Sequence, residues 1–526
     1  MYPTKPDDFQ VFDTTLRDGA QQEGIRLTVP DRLRIAGLLD DLGVDFIEGG
    51  WPGANPNDTA FFQAARDGLR LRRATLVAFG ATRRAGSSAA ADPLTQALVE
   101  AGTEVVCLVA KAHDRHVRQA LKTTLEENLA MITDTVTHLR ALGKRVFVDC
   151  EHFFNGYLDN RDYALEVVRA CARAGAEVVV LCDTNGGMLP GQVAQIVAQV
   201  LPHAPKVGVH CHNDSGCAVA NTMAAVEAGA SHVQGTVNGY GERTGNADLT
   251  TIVANLELKF GWSLLPAGQL RDLTRVAHAV AEIANQTPFP RQPYVGRSAF
   301  AHKAGLHASA IKVEADLYQH IDPDLVGNGM RMLISDMAGR ASIQIKAGQL
   351  GHDLEDRRLA AKVADRIKAR EAAGYSYEAA DASFDLIVRE QLGTRPRFFA
   401  VTNWRVFHTG NDDLAQATLR IKFGQEAATA HVGEGNGPVN ALDKALRAGL
   451  AARYPMVDQF ELTDYRVRLL DASHGTDAIT RVLIDTAYQG LSWTTVGVGG
   501  NIIEASWEAL VDAVDYGLMS HLPSEP

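Results

Sequence analysis

The chain has 526 residues, 46% hydrophobic and 22% charged, values ordinary for a soluble globular protein. Lys and Arg number 51 against 63 Asp and Glu, a formal net charge of −12 with no basic tail, so neither nucleic acid nor an anionic membrane is an expected partner. At about 100–200 residues per domain, the length predicts about three domains.

No apolar run approaches the ~18 residues of a membrane-spanning helix. The start, MYPTKPDDFQVFD, lacks the basic stretch and apolar run of a signal peptide. Six cysteines (Cys107, Cys150, Cys171, Cys182, Cys211 and Cys217) show no CxxC spacing, so buried free thiols and a cytoplasmic location are expected.

Up to about Lys259, eight short apolar runs alternate with helical patterns. The runs are FQVFDTTL, DFIEGG, ATLVAFG, EVVCLVA, RVFVDCEH, EVVVLCDT, KVGVHCHND and HVQGTVNGYG. Their near-continuous Val, Ile and Leu character suits parallel strands buried on both faces. Between them, DRLRIAGLLDDLG reads as a helix stopped at Gly43, and NRDYALEVVRACARAG as one stopped at Gly175. Eight βα units in about 250 residues predict an α/β fold of the (β/α)8 TIM-barrel kind over residues 1–284. The alternative, a doubly wound open sheet, lacks a G-x-G-x-x-G turn after any strand.

Residues 285–395 read as a Pro-rich linker, TPFPRQPYVG, and helical accessory subdomains, with Ser335 as an N-cap. From residue 396, FFAVTNWRVFH and ATLRIKFG alternate like half-buried strands. An internal repeat follows. Val432, Gly433 and Gly435 precede Ala441, Ala445 and Leu446; 64 positions later, Val496, Gly497 and Gly499 precede Ala505, Ala509 and Leu510. This predicts a C-terminal α+β domain with pseudo-two-fold organisation over 396–526. VGEGNG lacks the GK[ST] ending of a phosphate loop.

In a TIM barrel the active site lies at the C-terminal strand ends. Those ends carry Arg17 and Asp18, then Glu48, Glu151 with His152, Asp183 with Thr184, and His210, His212, Asn213 and Asp214. The loop after the eighth run carries Glu242, Arg243 and Asn246. Spacing of two on a strand puts His210 and His212 on one face. With Asp18, and Asn246 as a further oxygen donor, they form a candidate divalent-metal set; the competing reading is a polar strand end with satisfied histidines. Arg17 would be a fixed electrophile beside a developing oxyanion, or a surface ion pair. Glu151 is a candidate general base, or the structural partner of an inward Arg. Thr184 would bind a substrate carboxylate, or cap the next turn. In AFAHKAGLHASAI, His302 and His307 would stand about 140° apart on a helix, so they are not joint ligands of one metal.

FDTTLRDGAQQEG, HCHND and NGYGERTGNADL, in this order and spacing, resemble the 2-isopropylmalate, citramalate and homocitrate synthases, and the resemblance covers essentially the whole chain. EGGWPGANPNDTAFF looks most like the citramalate-synthase branch, although Thr244 stands where relatives of that branch often carry Cys. The resemblance implies a metal-dependent TIM-barrel acyltransferase that condenses acetyl-CoA with a 2-keto acid. It places the ligands of a divalent metal (Mg, Mn or Zn) on Asp18, His210, His212 and Asn246, the catalytic Arg on Arg17, the catalytic Glu on Glu151 and the substrate-binding Thr on Thr184. It also places an accessory-domain His and Tyr on His307 and Tyr318; in the family that His reaches the active site of the neighbouring subunit. A homodimer is implied, with a C-terminal domain that senses a branched-chain amino acid, isoleucine for the citramalate branch. Trp51, bulky and at a strand end, would shrink the keto-acid pocket in favour of pyruvate, or simply pack the core. The alternatives are 2-isopropylmalate synthase acting on 2-ketoisovalerate, a retro-Claisen lyase on the same barrel, and a non-catalytic amino-acid-binding regulator.

Overall fold

The computed structural model describes residues 2–334, 339–408, 414–470 and 478–522; Ser335, expected as a helix cap, lies outside them. The chain divides into two compact units, Met1–Phe300 with Ile321–Gly329, and Ala301–His320 with Met330–Pro526.

In the first unit, the eight apolar runs become the strands of a closed parallel barrel: β1 (Gln10–Asp13), β2 (Phe46–Glu48), β3 (Thr75–Ala81), β4 (Val105–Lys111), β5 (Arg145–Glu151), β6 (Val178–Asp183), β7 (Val207–Cys211) and β8 (His232–Gly235). β8 closes on β1 with Gln10 opposite His232 and Asp13 opposite Gly235. Alternate residues serve two cores. Outward Val11, Ile47, Ala78, Val148, Leu181 and Val209 pack on the surrounding helices. Inward Phe12, Phe46, Val77, Phe147, Val178 and Val180 fill the barrel. Each such side chain taken from water is worth about 1.5–3 kcal/mol.

Helix Val29–Leu42 starts at a capping box, in which Thr28 and Asp31 each bind the other's backbone N–H, and stops at Gly43, whose φ of 104° only glycine adopts readily. Helix Arg161–Ala174 stops at Gly175 in the same way.

The second unit opens with two short parallel strands, β9 (Ala301–His302) and β10 (Arg331–Met332), and helices Gly305–Ile311, Arg340–Gln349, Arg357–Ala372 and Asp381–Leu392. His302 therefore stands on a strand and His307 on a helix, with ring centres 6.0 Å apart. Two copies of one motif follow. Strands β11 (Ala400–His408), β12 (Ala415–Lys422) and β13 (Thr429–Gly435) lead to helix Pro438–Leu450; β14 (Glu461–Leu469), β15 (Thr480–Tyr488) and β16 (Leu491–Gly499) lead to helix Ile502–His521. The repeated glycines have one shared cause. A Cβ at Gly433 would strike the backbone of Ala441 and Ala445, and one at Gly497 the backbone of Ala505 and Ala509, so each helix lies flush on its sheet only over glycine. No helix of the described residues is long and apolar enough to cross a membrane.

Candidate active site

The barrel interior is layered, as alternate residues of eight tilted strands dictate. The lower layer is aromatic: Phe46 and Phe147 meet edge-on at 5.1 Å, with Phe12 and His232 against them. One step up each strand the layer turns polar, with Glu48, Cys107, Asp149, His210 and Gln234, all buried. Above them a cavity of about 470 Å³ opens, lined among others by Arg17, Asp18, Trp51, Glu151, Thr184 and His212. That volume suits a small ligand.

Asp18, His210 and His212 offer one ligand atom each, all within 4.8 Å of one another. Asp18 Oδ2 lies 3.1 Å from His210 Nε2 and 3.9 Å from His212 Nε2. Burial pushes the Asp18 carboxyl up, but the Arg17 charge and the two imidazoles outweigh it and hold the group well below the usual range. Burial pulls His210 down, yet its bond to Asp18 and the charge of Asp18 raise it to about 9. Burial, then the charge of His210, press His212 down to about 4.

The donors present fit a divalent cation. Asn246 is 3% exposed. Its Nδ2 donates to Tyr240 O at 2.9 Å, while its Oδ1 is buried with no hydrogen-bond partner among the described residues. A bare buried acceptor costs about 1–3 kcal/mol unless a cation takes it. The backbones of His212 and Asn246 pair as an isolated bridge, which ties both residues to one spot on the rim. Two imidazoles, a carboxylate and an amide oxygen make a mixed N/O set of the kind that holds Mg, Mn or Zn.

Arg17 is not a surface residue. Its side chain is 14% exposed, its Nε donates to Glu48 Oε2 at 2.6 Å, and its guanidinium carbon lies 4.0 Å from the centre of the Phe79 ring. Burial raises Glu48 to about 7 against the pull of Arg17. Glu151 ends β5 opposite Lys111 at the end of β4, and the two form an ion pair, so its partner is a lysine rather than an inward arginine. Thr184 accepts from the backbone N–H of His152 at 2.8 Å, so it ties the end of β6 to the end of β5 rather than capping the next turn, and it lines the cavity. Trp51 packs edge-on against Phe79 at 5.5 Å and also lines the cavity, so it stands against the barrel core and on the cavity wall.

The structure thus brings Arg17, Asp18, Trp51, Glu151, Thr184, His210 and His212 to one cavity, with Asn246 beside His212. His307 and Tyr318 belong to the second unit, where their rings stack at 4.1 Å. Sequence reasoning gave no role to Phe79, Asp149 or Gln234. The available signal was the two-residue period: Asp149 shares the inward face of β5 with Glu151, and Gln234 that of β8 with His232.

The family model described as HMGL-like matches residues 8–280, the homocitrate synthase post-HMGL domain-like model matches 294–374, and the LeuA allosteric (dimerisation) domain matches 378–518. The (R)-citramalate synthase of Streptomyces coelicolor is 60% identical over 519 residues, covering 98% of this chain and 97% of its own. That of Synechocystis sp. is 46% identical over 536 residues, with coverage of 98% and 97%. A probable 2-isopropylmalate synthase of Methanopyrus kandleri is more distant, 32% identical over 515 residues, covering 97% of this chain and 98% of its own. On full-length identity and on its family-model matches, the chain belongs to the (R)-citramalate synthase family of HMGL-like acyltransferases.

Proposed function

We propose that the chain condenses acetyl-CoA with pyruvate and water to give (R)-citramalate and free CoA, the entry to isoleucine synthesis. The observation that carries this reading is the set Arg17, Asp18, His210 and His212 on one cavity, in a chain 60% identical to an (R)-citramalate synthase. Asp18, His210, His212 and Asn246 would hold the divalent cation, Mg2+, Mn2+ or Zn2+. The cation supplies Lewis acidity toward the keto acid when bound.

The residues divide the remaining work. Thr184 donates to the pyruvate carboxylate. A base takes a proton from the acetyl-CoA methyl group, and Glu151 and His307 are the candidates, with Tyr318 stacked on the latter. Arg17, immobilised by Glu48 and Phe79, donates to the thioester oxygen as negative charge builds there. The methyl carbon then bonds to the keto carbon, whose oxygen takes up a proton, and water cleaves the thioester. Trp51 and Phe79 narrow the cavity and so favour pyruvate over 2-ketoisovalerate, the substrate of the alternative 2-isopropylmalate synthase reading.

The LeuA allosteric (dimerisation) domain match supports a homodimer under allosteric control, for which isoleucine is the proposed inhibitor. The six unpaired cysteines support a cytoplasmic location. The test is CoA thiol release from acetyl-CoA and pyruvate by the full chain and by His210→Ala. Turnover that the variant loses supports the proposal; turnover that the variant retains overturns it.

A further inference from the structure

We propose that Gln234 is a positioning residue that fixes the ring of His210 with Nδ1 protonated, so that Nε2 is the nitrogen free to bind the cation. The inference rests on the metal assignment above. The geometry is a hydrogen-bond chain across the barrel interior. His210 Nδ1 lies 2.8 Å from Gln234 Oε1. An amide oxygen only accepts, so the proton of that bond belongs to His210 Nδ1. Nε2, on the other edge of the ring, faces Asp18.

The side-chain amide of Gln234 is itself oriented from both sides. Its Nε2 donates to Asp149 Oδ1 at 3.0 Å and stands 3.4 Å from His232 Nε2. His232 Nδ1 lies 3.0 Å from Gln10 Oε1, which again only accepts, so His232 carries its proton on Nδ1 and offers Nε2 as an acceptor. Turning the Gln234 amide over would face its oxygen to the Asp149 carboxylate and to the acceptor nitrogen of His232. Both contacts would then be repulsive.

Gln10, His232, Gln234 and His210 thus form one directed chain ending at the metal site. Gln234 and His232 are 0% exposed, and Asp149 and His210 are each 4% exposed, so water cannot substitute for a missing partner. Room for His232 is provided by Gly208 on the neighbouring strand, where a Cβ would lie 2.7 Å from the imidazole. A histidine ligand depends on the hydrogen bond at its other nitrogen for tautomer and ring orientation.

The experiment is Mn2+ titration of the metal-free full chain, read as free Mn2+ by electron paramagnetic resonance, with thermal unfolding of each protein alongside. Q234M and Q234E both remove the Nε2 donor, but Q234E, as the neutral acid, keeps an oxygen that can accept from His210 Nδ1 and an O–H that can donate to Asp149. The expected result is Mn2+ binding weakened about 10–100-fold in Q234M and close to that of the parent in Q234E. Parent-like binding by Q234M, or equal weakening in both variants, overturns the proposal. Should Q234M not fold, Q234E decides: parent-like binding supports the proposal, and a loss of about tenfold or more overturns it. His210→Ala is the control for the underlying metal assignment, since undiminished Mn2+ binding by that variant would refute the site itself rather than the role of Gln234.

Discussion

Arg17 is held by Glu48, its Nε 2.6 Å from the carboxylate Oε2, and its guanidinium lies over the Phe79 ring. The planar cation is therefore set in place before any substrate arrives, and Asp18, the next residue, is fixed with it. Lysine at this position would lose both the Nε–H that binds Glu48 and the flat face that meets Phe79. Arg17→Lys is predicted to lower kcat for thiol release by about 10²–10³-fold. Mn2+ binding should stay close to that of the parent, because Lys keeps the charge beside Asp18. Equal losses of metal binding and turnover would show instead that Arg17 serves only to build the metal site.

Trp51 lines the cavity and meets Phe79 edge-on. Trp51→Ala is predicted to shift relative kcat/KM from pyruvate toward 2-ketobutyrate and 2-ketoisovalerate by about 10–200-fold, the range that one methylene commands in an apolar pocket. An unchanged ratio would leave Trp51 as core packing only.

In the C-terminal domain, Asp512 is raised to about 6. Burial is the main cause, partly offset by Arg395, with Glu508 and Asp515 adding to it. Its ordinary value is 3.8, so the folded chain binds this proton more tightly than the unfolded chain. The contribution to stability is therefore fully present at acid pH and is lost as pH rises from about 4 to about 6. Asp512→Asn cannot ionise. The Tm of the variant relative to the parent should climb as pH rises through that window and level off above it. Parallel Tm profiles across the window would contradict the assignment.

Glu508 joins the accessory helices to the C-terminal domain. It accepts from Arg370 Nη2 at 2.5 Å, from the Tyr375 hydroxyl at 2.6 Å and from Val498 N at 3.0 Å. Val496 of β16 is buried in one core with Phe384 and Val388 of the accessory helices, so a chain cut at Arg395 would open that core. A point change is the cleaner probe of feedback. Glu508→Gln is predicted to raise the isoleucine concentration for half-inhibition about fivefold or more, with the uninhibited rate unchanged. Inhibition curves that superimpose would exclude this junction from the coupling.

Much of this was legible in the sequence. The eight parallel strands announce themselves because strands buried on both faces read as continuous apolar runs. The candidate metal set was legible because His210 and His212 stand two apart at the end of β7 and Asp18 follows β1. The repeat at an offset of 64 became two βββα units because Gly433 and Gly497 answer the same steric demand. Phe79, Asp149 and Gln234 were not legible. Each is a single residue inside an apolar run, and its role exists only once the barrel closes and brings β3, β5 and β8 around Arg17 and His210. Ion pairs such as Lys111 with Glu151 depend on the register between β4 and β5, which composition does not encode.

Condensation of acetyl-CoA with a small 2-keto acid by this barrel is the reaction on which every role above depends. Its most direct test is the initial rate of CoA thiol release by the full chain with acetyl-CoA and, in parallel, pyruvate, 2-ketobutyrate, 2-ketoisovalerate and 2-ketoglutarate. The highest kcat/KM is expected with pyruvate. A higher kcat/KM with 2-ketoisovalerate, or no keto-acid-dependent thiol release at all, would contradict it.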